Sequence, residues 1–327
     1  MYISKLTMKE TQKAIKVVKD SFENILARAF NLDRVSAPII VEANKAINDD
    51  LGIKDSALKF NIVNLGYPVE VVQSLAKWKR MALFKYGYQV YEGIYTDMNA
   101  IRQHDEIDNT HSLYVDQWDW EFIIKENDRT LDFLMLAVKK IVKALVKAKS
   151  KVNKMFPVLK ETIKEEVYFI SSEELFQKYP HLTAQKRERE ITKKHRTVFV
   201  MQIGESNLKG EKHDLRAPDY DDWKLNGDLL LWSDVLQEEI ELSSMGIRVD
   251  KKSLLKQMKT AERLDELNKE YYQQVIKGEL PLTIGGGIGQ SRMCMILLEK
   301  YHIAEVQASV WRKQDLELFK KIKLNYL

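Results

Sequence analysis

With 327 residues, 45% hydrophobic and 31% charged, the chain has enough apolar mass for a sizeable core, but no apolar run approaches the ~18 residues of a membrane span. A net charge of +4 favours anionic partners weakly and does not demand nucleic acid. The single cysteine, Cys294, excludes an internal disulfide and a cysteine-based zinc site. Met1-Tyr2-Ile3-Ser4-Lys5 carries no signal-peptide core, so a reducing cytoplasm is the expected compartment, with no membrane partner.

In chain order, residues 7–30 place Ile15, Val18, Phe22, Ile25, Leu26 and Phe30 on one helical face. Asn31 to Arg34 reads as a turn. Val35 to Val41 follows as an extended segment interrupted by Pro38. Proline donates no ladder hydrogen bond, so this suits an edge strand or a strand at a subunit contact. The polar run Asn48-Asp49-Asp50 reads, by itself, as a solvated loop. Residues 57–72 look like two strands around Asn64-Leu65-Gly66-Tyr67-Pro68. Gln73 to Leu83 reads as a helix, and its cations Lys77, Lys79 and Arg80 are either solvated or placed to hold a carboxylate.

Residues 88–102 alternate as a strand, 103–112 form a polar loop with His104 and His111, and Leu113 to Glu121 returns as a second strand. Its alternation sets Val115, Gln117, Asp119 and Glu121 on one face and Tyr114, Asp116, Trp118 and Trp120 on the other. Such polar side chains beside tryptophans are costly to bury without partners, which points to the floor of a polar pocket. Residues 130–156 form an amphipathic helix with Leu131, Leu134, Val138, Ile141, Val142 and Leu145 inward. Lys139, Lys140, Lys143, Lys147, Lys149, Lys151 and Lys154 read as its solvated face, without the aromatic interleaving of a nucleic-acid footprint. A capped short helix starts at Ser171, a charged helix covers 183–195, and Thr197 to Ile203 reads as a central strand.

His213 to Trp223 is an irregular loop with four aspartates and aromatic residues set among them. Asn226-Gly227 reads as a turn into a strand ending at Trp232, and Ile240 to Val249 as its antiparallel partner. This hairpin carries Asp228 and Glu241, paired carboxylates that suit Mg²⁺ bridged to phosphates. Residues 251–278 read as one long helix. A glycine run (Gly285, Gly286, Gly287, Gly289) then passes directly into a helix with Arg292 in its first turn. Glycines admit a ligand close to the main chain, and a helix start offers free N–H groups and a positive dipole end. A nucleotide phosphate is the expected guest. The register is neither a P-loop nor a dinucleotide fingerprint. Cys294 reads as a helix-core residue rather than a nucleophile. Interspersed elements with hairpin-like neighbours give an α+β class: a central, mostly antiparallel sheet flanked by helices.

Pro38, the strand-ending Arg102 with its polar loop, and the Gly285-to-Arg292 stretch resemble the three motifs of class II aminoacyl-tRNA synthetase catalytic domains. The longer blocks 74–80, 114–121, 216–223 and 241–249, together with the glycine stretch, are similar over essentially the whole chain to the ammonia-dependent asparagine synthetases, the aspartate–ammonia ligases. The short connection between Trp223 and Asn226 departs from the longer loop of some relatives and bears on local loop closure.

The resemblance implies a single catalytic domain over 1–327 with a helical insertion around 125–196, acting as a homodimer. It implies that ATP, Mg²⁺ and L-aspartate give β-aspartyl-AMP and pyrophosphate, and that ammonia then displaces AMP. On this reading Asp49 and Asp119 meet the α-ammonium of aspartate, Gln117 orients it, and Lys79 holds a carboxylate. Arg102 and Arg292, with His111, Gly285, Gly286, Gly287 and Gly289, take ATP. Asp228 and Glu241 take Mg²⁺. Asp221 removes the proton from ammonium, with Asp219 second in line and Ser244 assisting. The alternatives are a synthetase paralogue that adenylates aspartate for another acceptor, a tRNA-linked synthetase, or a binding-only module. Only ~37 residues of helical spacing precede Pro38, too few for an OB-fold barrel. A binding-only module would tend to lack the two arginines, and a glutamine-dependent enzyme needs a nucleophilic cysteine in an amidohydrolase domain.

Overall fold

Thr7 and Glu10 cap each other reciprocally and start helix α1 (Met8–Phe30). Asn31 ends it in the left-handed region, at φ 50°, and the chain reverses into strand β1 (Leu32–Arg34). Of the expected turn at 31–34, then, only Asn31 turns. β1 pairs parallel with residues 93–95. The computed structural model describes residues 2–43, 45–53 and 56–327.

Strands β2 (Ile40–Glu42), β3 (Lys59–Asn61) and β4 (Pro68–Val71) form a small antiparallel sheet in the order β2-β4-β3. Pro38 lies in irregular backbone just before β2. Then come α2 (Ala76–Tyr86), β5 (Gly93–Ile101), β6 (Tyr114–Ile123), α3 (Leu131–Met155), β7 (Tyr168–Ser171), α4 (Ser172–Lys178) and α5 (Ala184–His195). Strands β8 (Thr197–Met201), β9 (Asp221–Ser233) and β10 (Glu238–Arg248) lead to α6 (Lys251–Thr260) and α7 (Glu270–Lys277). The chain closes with β11 (Thr283–Gly289), α8 (Gln290–Leu297) and α9 (Lys313–Ile322). Among the described residues the large sheet runs β1-β5-β6-β11-β10-β9-β8-β7. Only its outermost pairs, β1–β5 and β7–β8, are parallel, so the expected α+β, mostly antiparallel class holds.

The alternation of β6 decides which face is core. Trp118 and Trp120 are fully buried against Phe22 and Phe30 of α1, with ring centroids 5.0 and 4.8 Å apart. Each such side chain contributes on the order of 2–3 kcal/mol of burial. α1 and α3 therefore cover this face, which leaves Gln117, Asp119 and Glu121 on the other.

Three expectations are corrected. Lys149 is not on the solvated face of α3: it is 2% exposed and donates to the Leu297 carbonyl at 2.8 Å and the Glu299 carboxylate at 3.0 Å. Asn226-Gly227 is no turn, because β9 runs through it. Gly227 is needed there, since a Cβ would press on the Phe199 ring at 2.7 Å. The stretch 251–278 is not one helix. It breaks at Glu262, whose φ is 56°, and the break carries Arg263 to Asp50 at 2.7 Å and to Glu266 at 2.7 Å.

Candidate active site

The polar face of β6, β11, the end of β10 and the start of β9 form the floor of a cleft of about 320 Å³. Gly286 and Gly287 lie in that floor. β11 pairs with β6 so that Gly285 faces Glu121 and Gly287 lies beside Gln117. A Cβ at Gly285 would overlap the Glu121 carboxylate, and one at Gly287 the Gln117 amide. These glycines are absent from the positive-φ residues, so they serve close approach rather than turning.

Cations and carboxylates are interleaved over this floor. Arg248, 2% exposed, donates to Glu121 at 2.9 and 2.7 Å and also pairs with Asp221. Burial alone would raise the Glu121 carboxyl, but Arg248 and Lys79 outweigh it and hold it below the usual carboxylate range. The Asp221 carboxyl is pushed up, because burial prevails over Arg248. Arg216 donates to Ser244 Oγ at 2.7 Å and pairs with Asp228. Lys79 Nζ pairs with Asp119, lies 3.6 Å from Glu121 and donates to the Trp120 carbonyl at 2.9 Å. Lys77 bridges Asp219 at 2.7 Å and Asp49 at 3.4 Å. Burial would raise Asp219, but Lys77 and the Tyr272 hydroxyl, 2.7 Å away, bring it down. Asp49 is pushed up to about 6 by burial against the pull of Lys77.

At the other end, Arg102 donates to the Gln73 carbonyl at 3.2 and 3.4 Å. Arg292 donates to the Glu241 carbonyl at 2.8 Å and meets His111 Nε2 at 2.6 Å. These two arginines and His111 line a smaller hollow of about 60 Å³, which shares Arg102, Gln117, Glu241, Ser244 and Gly287 with the main cleft.

The structure thus brings Arg102, Gln117, Asp119, Asp221, Glu241, Ser244, Gly286 and Gly287 to one cleft, with His111, Gly289 and Arg292 in the hollow beside it. Five of the expected residues lie elsewhere, among them Gly285, which packs on the Glu121 carboxylate and lines neither space. Lys79 is fully buried beneath the floor, where it pairs with Asp119, and does not line the cleft. Asp219 is buried behind Lys77, and Asp228 behind Arg216. Asp49 is buried rather than in a solvated loop, and lines an adjoining hollow of about 90 Å³ with Lys77 and Tyr272, which shares Asp50, Ser56 and Gln73 with the cleft. At the start of α8, which borders the smaller hollow, the Ser291 N–H is already taken, donating to Asp116 Oδ1 at 3.0 Å. Arg216, Tyr220 and Arg248 line the cleft and were not among the expected site residues. For Arg248 the signal is in the sequence, since Ser244, Gly246 and Arg248 recur with period 2 on one strand.

The family model for aspartate–ammonia ligase matches residues 9–323. The chain belongs to the aspartate–ammonia ligase family. It is 52% identical to the aspartate–ammonia ligase of Clostridium tetani over 97% of this chain and 93% of that one. Against the ligase of Bacillus cereus strain G9842 it is 50% identical over 98% of this chain and 100% of that one. The ligase of Malacoplasma penetrans is 48% identical, covering 98% and 99%. The ligase fold is shared with asparaginyl-tRNA synthetases. That of Pyrococcus horikoshii, complexed with asparaginyl-adenylate, superposes with a TM-score of 0.67 at 15% identity, over 93% of this chain and 70% of that one. That of Entamoeba histolytica, also with asparaginyl-adenylate, gives 0.61 at 16%, and this chain spans 66% of it.

Proposed function

We propose that this chain joins ammonia to the β-carboxyl of L-aspartate with ATP, through β-aspartyl-AMP, releasing pyrophosphate and then AMP. The observation that carries this reading is the single cleft in which guanidinium groups and buried carboxylates alternate over the Gly286–Gly287 strand. A zwitterionic amino acid and a polyphosphate need both signs side by side.

In the first half-reaction the β-carboxylate attacks the α-phosphorus and pyrophosphate leaves. Arg102 and Arg292 stabilise the charge that grows on the phosphoryl oxygens, which is positioning and electrostatics rather than covalent catalysis. Asp119, fixed by Lys79, and Gln117 orient the aspartate; Asp49 acts from behind the wall through Lys77. The substrate carboxylate meets Arg216 and Arg248, which are also paired with carboxylates but, unlike Lys79, line the cleft. In the second half-reaction ammonia attacks the acyl carbon and AMP leaves. Asp221 accepts the proton from the incoming ammonium, since burial makes it the stronger base of the two candidates, while Lys77 and Tyr272 weaken Asp219. Ser244 assists from beside Arg216.

Glu241, which lines the cleft, would hold Mg²⁺, joined by Asp228 only where Arg216 gives way. Asp228 Oδ1 is buried without a hydrogen-bond partner, and among the described residues no group of three or more ligating side chains offers a complete site. Such a pair suits an ion that keeps waters and phosphate oxygens as its other ligands. When bound, it neutralises phosphate charge. The reading includes a single catalytic domain with 125–196 as an insertion, a homodimer formed around the Pro38 segment, cytoplasmic location and no nucleic-acid partner. Among the described residues no helix is long and apolar enough to cross a membrane.

The test is product analysis with ATP, Mg²⁺ and aspartate, with and without ammonium. Asparagine with AMP, appearing only with ammonium, supports the reading. AMP without asparagine points instead to an adenylating paralogue with another acceptor. Arg292→Ala is expected to abolish pyrophosphate exchange, and Asp221→Asn to keep exchange while losing asparagine.

A further inference from the structure

Arg292 is held by a loop of which the reaction scheme uses only His111. Asp108, Thr110 and His111 close on one another: the Thr110 and His111 N–H groups donate to Asp108 Oδ1 at 2.7 and 2.8 Å, and the Asp108 N–H donates to the His111 carbonyl at 3.2 Å. The His111 ring then stands with Nδ1 2.9 and 3.0 Å from the two Asp108 oxygens, while Nε2 faces Arg292 Nη2 at 2.6 Å. Arg292 completes its bonds with the Thr110 carbonyl at 3.4 Å and the Glu241 carbonyl at 2.8 Å.

The chemistry of these groups fixes the proton. A guanidinium only donates, so Nε2 must offer a lone pair. A carboxylate only accepts, so Nδ1 must carry the hydrogen. The Asp108 carboxyl is ionised: burial would raise it, but the bonds from His111 and Thr110 keep it well below the ordinary range. One side chain thereby selects the tautomer of a second, and the second receives the arginine. The opposite tautomer would turn an N–H toward Arg292 and lose the contact.

We propose that Asp108 is a positioning residue for nucleotide binding, acting through the Nδ1-protonated tautomer of His111 to hold the Arg292 guanidinium at the hollow beside the cleft. This rests on the reading of Arg292 as an ATP residue. Arg292 reaches the hollow on a long side chain with several rotamers, and ordering it before ATP arrives lowers the entropy lost on binding. The effect belongs in the KM for ATP and not in that for aspartate or ammonium.

The experiment is a double-mutant cycle on pyrophosphate exchange with the full-length protein and Mg-ATP. Asp108→Ala is expected to raise the KM for ATP about 5–10-fold, with kcat at saturating ATP and the KM for aspartate retained. Asp108→Asn keeps an oxygen for the loop and for Nδ1–H, and recovers most of the loss. In a His111→Ala background, Asp108→Ala adds little. A merely structural Asp108 would cost as much in that background as in the wild type, and this result overturns the proposal. The ¹⁵N shifts of the His111 ring give a readout that does not depend on activity. They are expected to show Nδ1–H in the wild type and a shift toward Nε2–H in Asp108→Ala; an unchanged tautomer overturns the proposal. If Arg292→Ala itself leaves the KM for ATP unchanged, the nucleotide part falls with the reading of Arg292, while the ring shifts still decide whether Asp108 positions His111.

Discussion

Replacing Arg248 with methionine removes one cation from between two buried carboxylates and keeps most of the side-chain volume. Glu121 is fully buried and Asp221 is 2% exposed, so neither is relieved by water. Glu121 retains Lys79 at 3.6 Å and the Thr283 hydroxyl at 2.6 Å, whereas the ion pair of Asp221 is lost. Breaking a buried pair by removing one partner costs about 3–5 kcal/mol. With ~2.1 cal/mol/K per residue, a chain of this length unfolds with an entropy of about 0.7 kcal/mol/K, so the melting temperature should fall by about 4–7 °C. The pH dependence has a definite sign. The folded Glu121 carboxyl is depressed below its ordinary 4.5, so its stabilisation is present above that value and is lost as pH falls through the folded value. The gap between wild type and Arg248→Met should therefore be widest near neutrality and narrow in acid. Calorimetry at about pH 8 and about pH 4 measures both quantities. A variant melting within about 1 °C of wild type at the higher pH, or a gap that widens in acid, would refute the role given to Arg248.

Gly287→Ala places a Cβ on the Gln117 amide, and strand pairing on both sides leaves that amide only the cleft to move into. The expected result is a KM for aspartate raised at least about tenfold with a melting temperature little changed, read from pyrophosphate exchange and calorimetry. An unaltered KM would mean that the floor has room to spare. Asp49→Asn tests the opposite sign from Glu121. The Asp49 carboxyl is raised from 3.8 to about 6, so the folded state binds its proton more tightly, and the ionised form costs stability as pH rises through that window. Asparagine there should raise the melting temperature at about pH 8 and change it little at about pH 4, with Lys77 still held by Asp219 at 2.7 Å. Equal shifts at both pH values would show that Asp49 is ionised throughout.

The legible parts of this chain are those governed by short-range pattern. Period 2 on β6 separated Trp118 and Trp120 from Gln117 and Asp119, and that separation set both the core and the floor. What local pattern did not reveal depends on contacts distant in sequence. Lys149 looks like its lysine neighbours until Glu299, 150 residues away, meets it. The strand through Gly227 exists because β8 and β10 flank it. The break at Glu262 serves Asp50, more than 200 positions earlier. Lys79 was read as a substrate cation because its charge is visible in the sequence and its partner Asp119 is not.

That partnering also sorts the cations of the site. Arg248 is spoken for by Glu121 and Asp221, Arg216 by Asp228, Lys79 by Asp119, and Lys77 by Asp219 and Asp49. The hydrogen bonds of Arg102 and Arg292 instead go to neutral acceptors: the Gln73 carbonyl for one, and two carbonyls and an imidazole nitrogen for the other. Among the described residues the nearest carboxylate to Arg292, that of Glu241, is 4.0 Å away. A neutral acceptor leaves more of the positive charge to act on an incoming anion than a buried carboxylate in direct contact does. The positive potential of the cleft is thus concentrated at the end where Arg102 and Arg292 stand. On the proposed reading a triphosphate, whose oxygens outbid carbonyls for guanidinium N–H groups, goes to that end, and the paired end beneath Asp221 and Asp119 is left for aspartate, whose one ammonium and two carboxylates need partners of both signs.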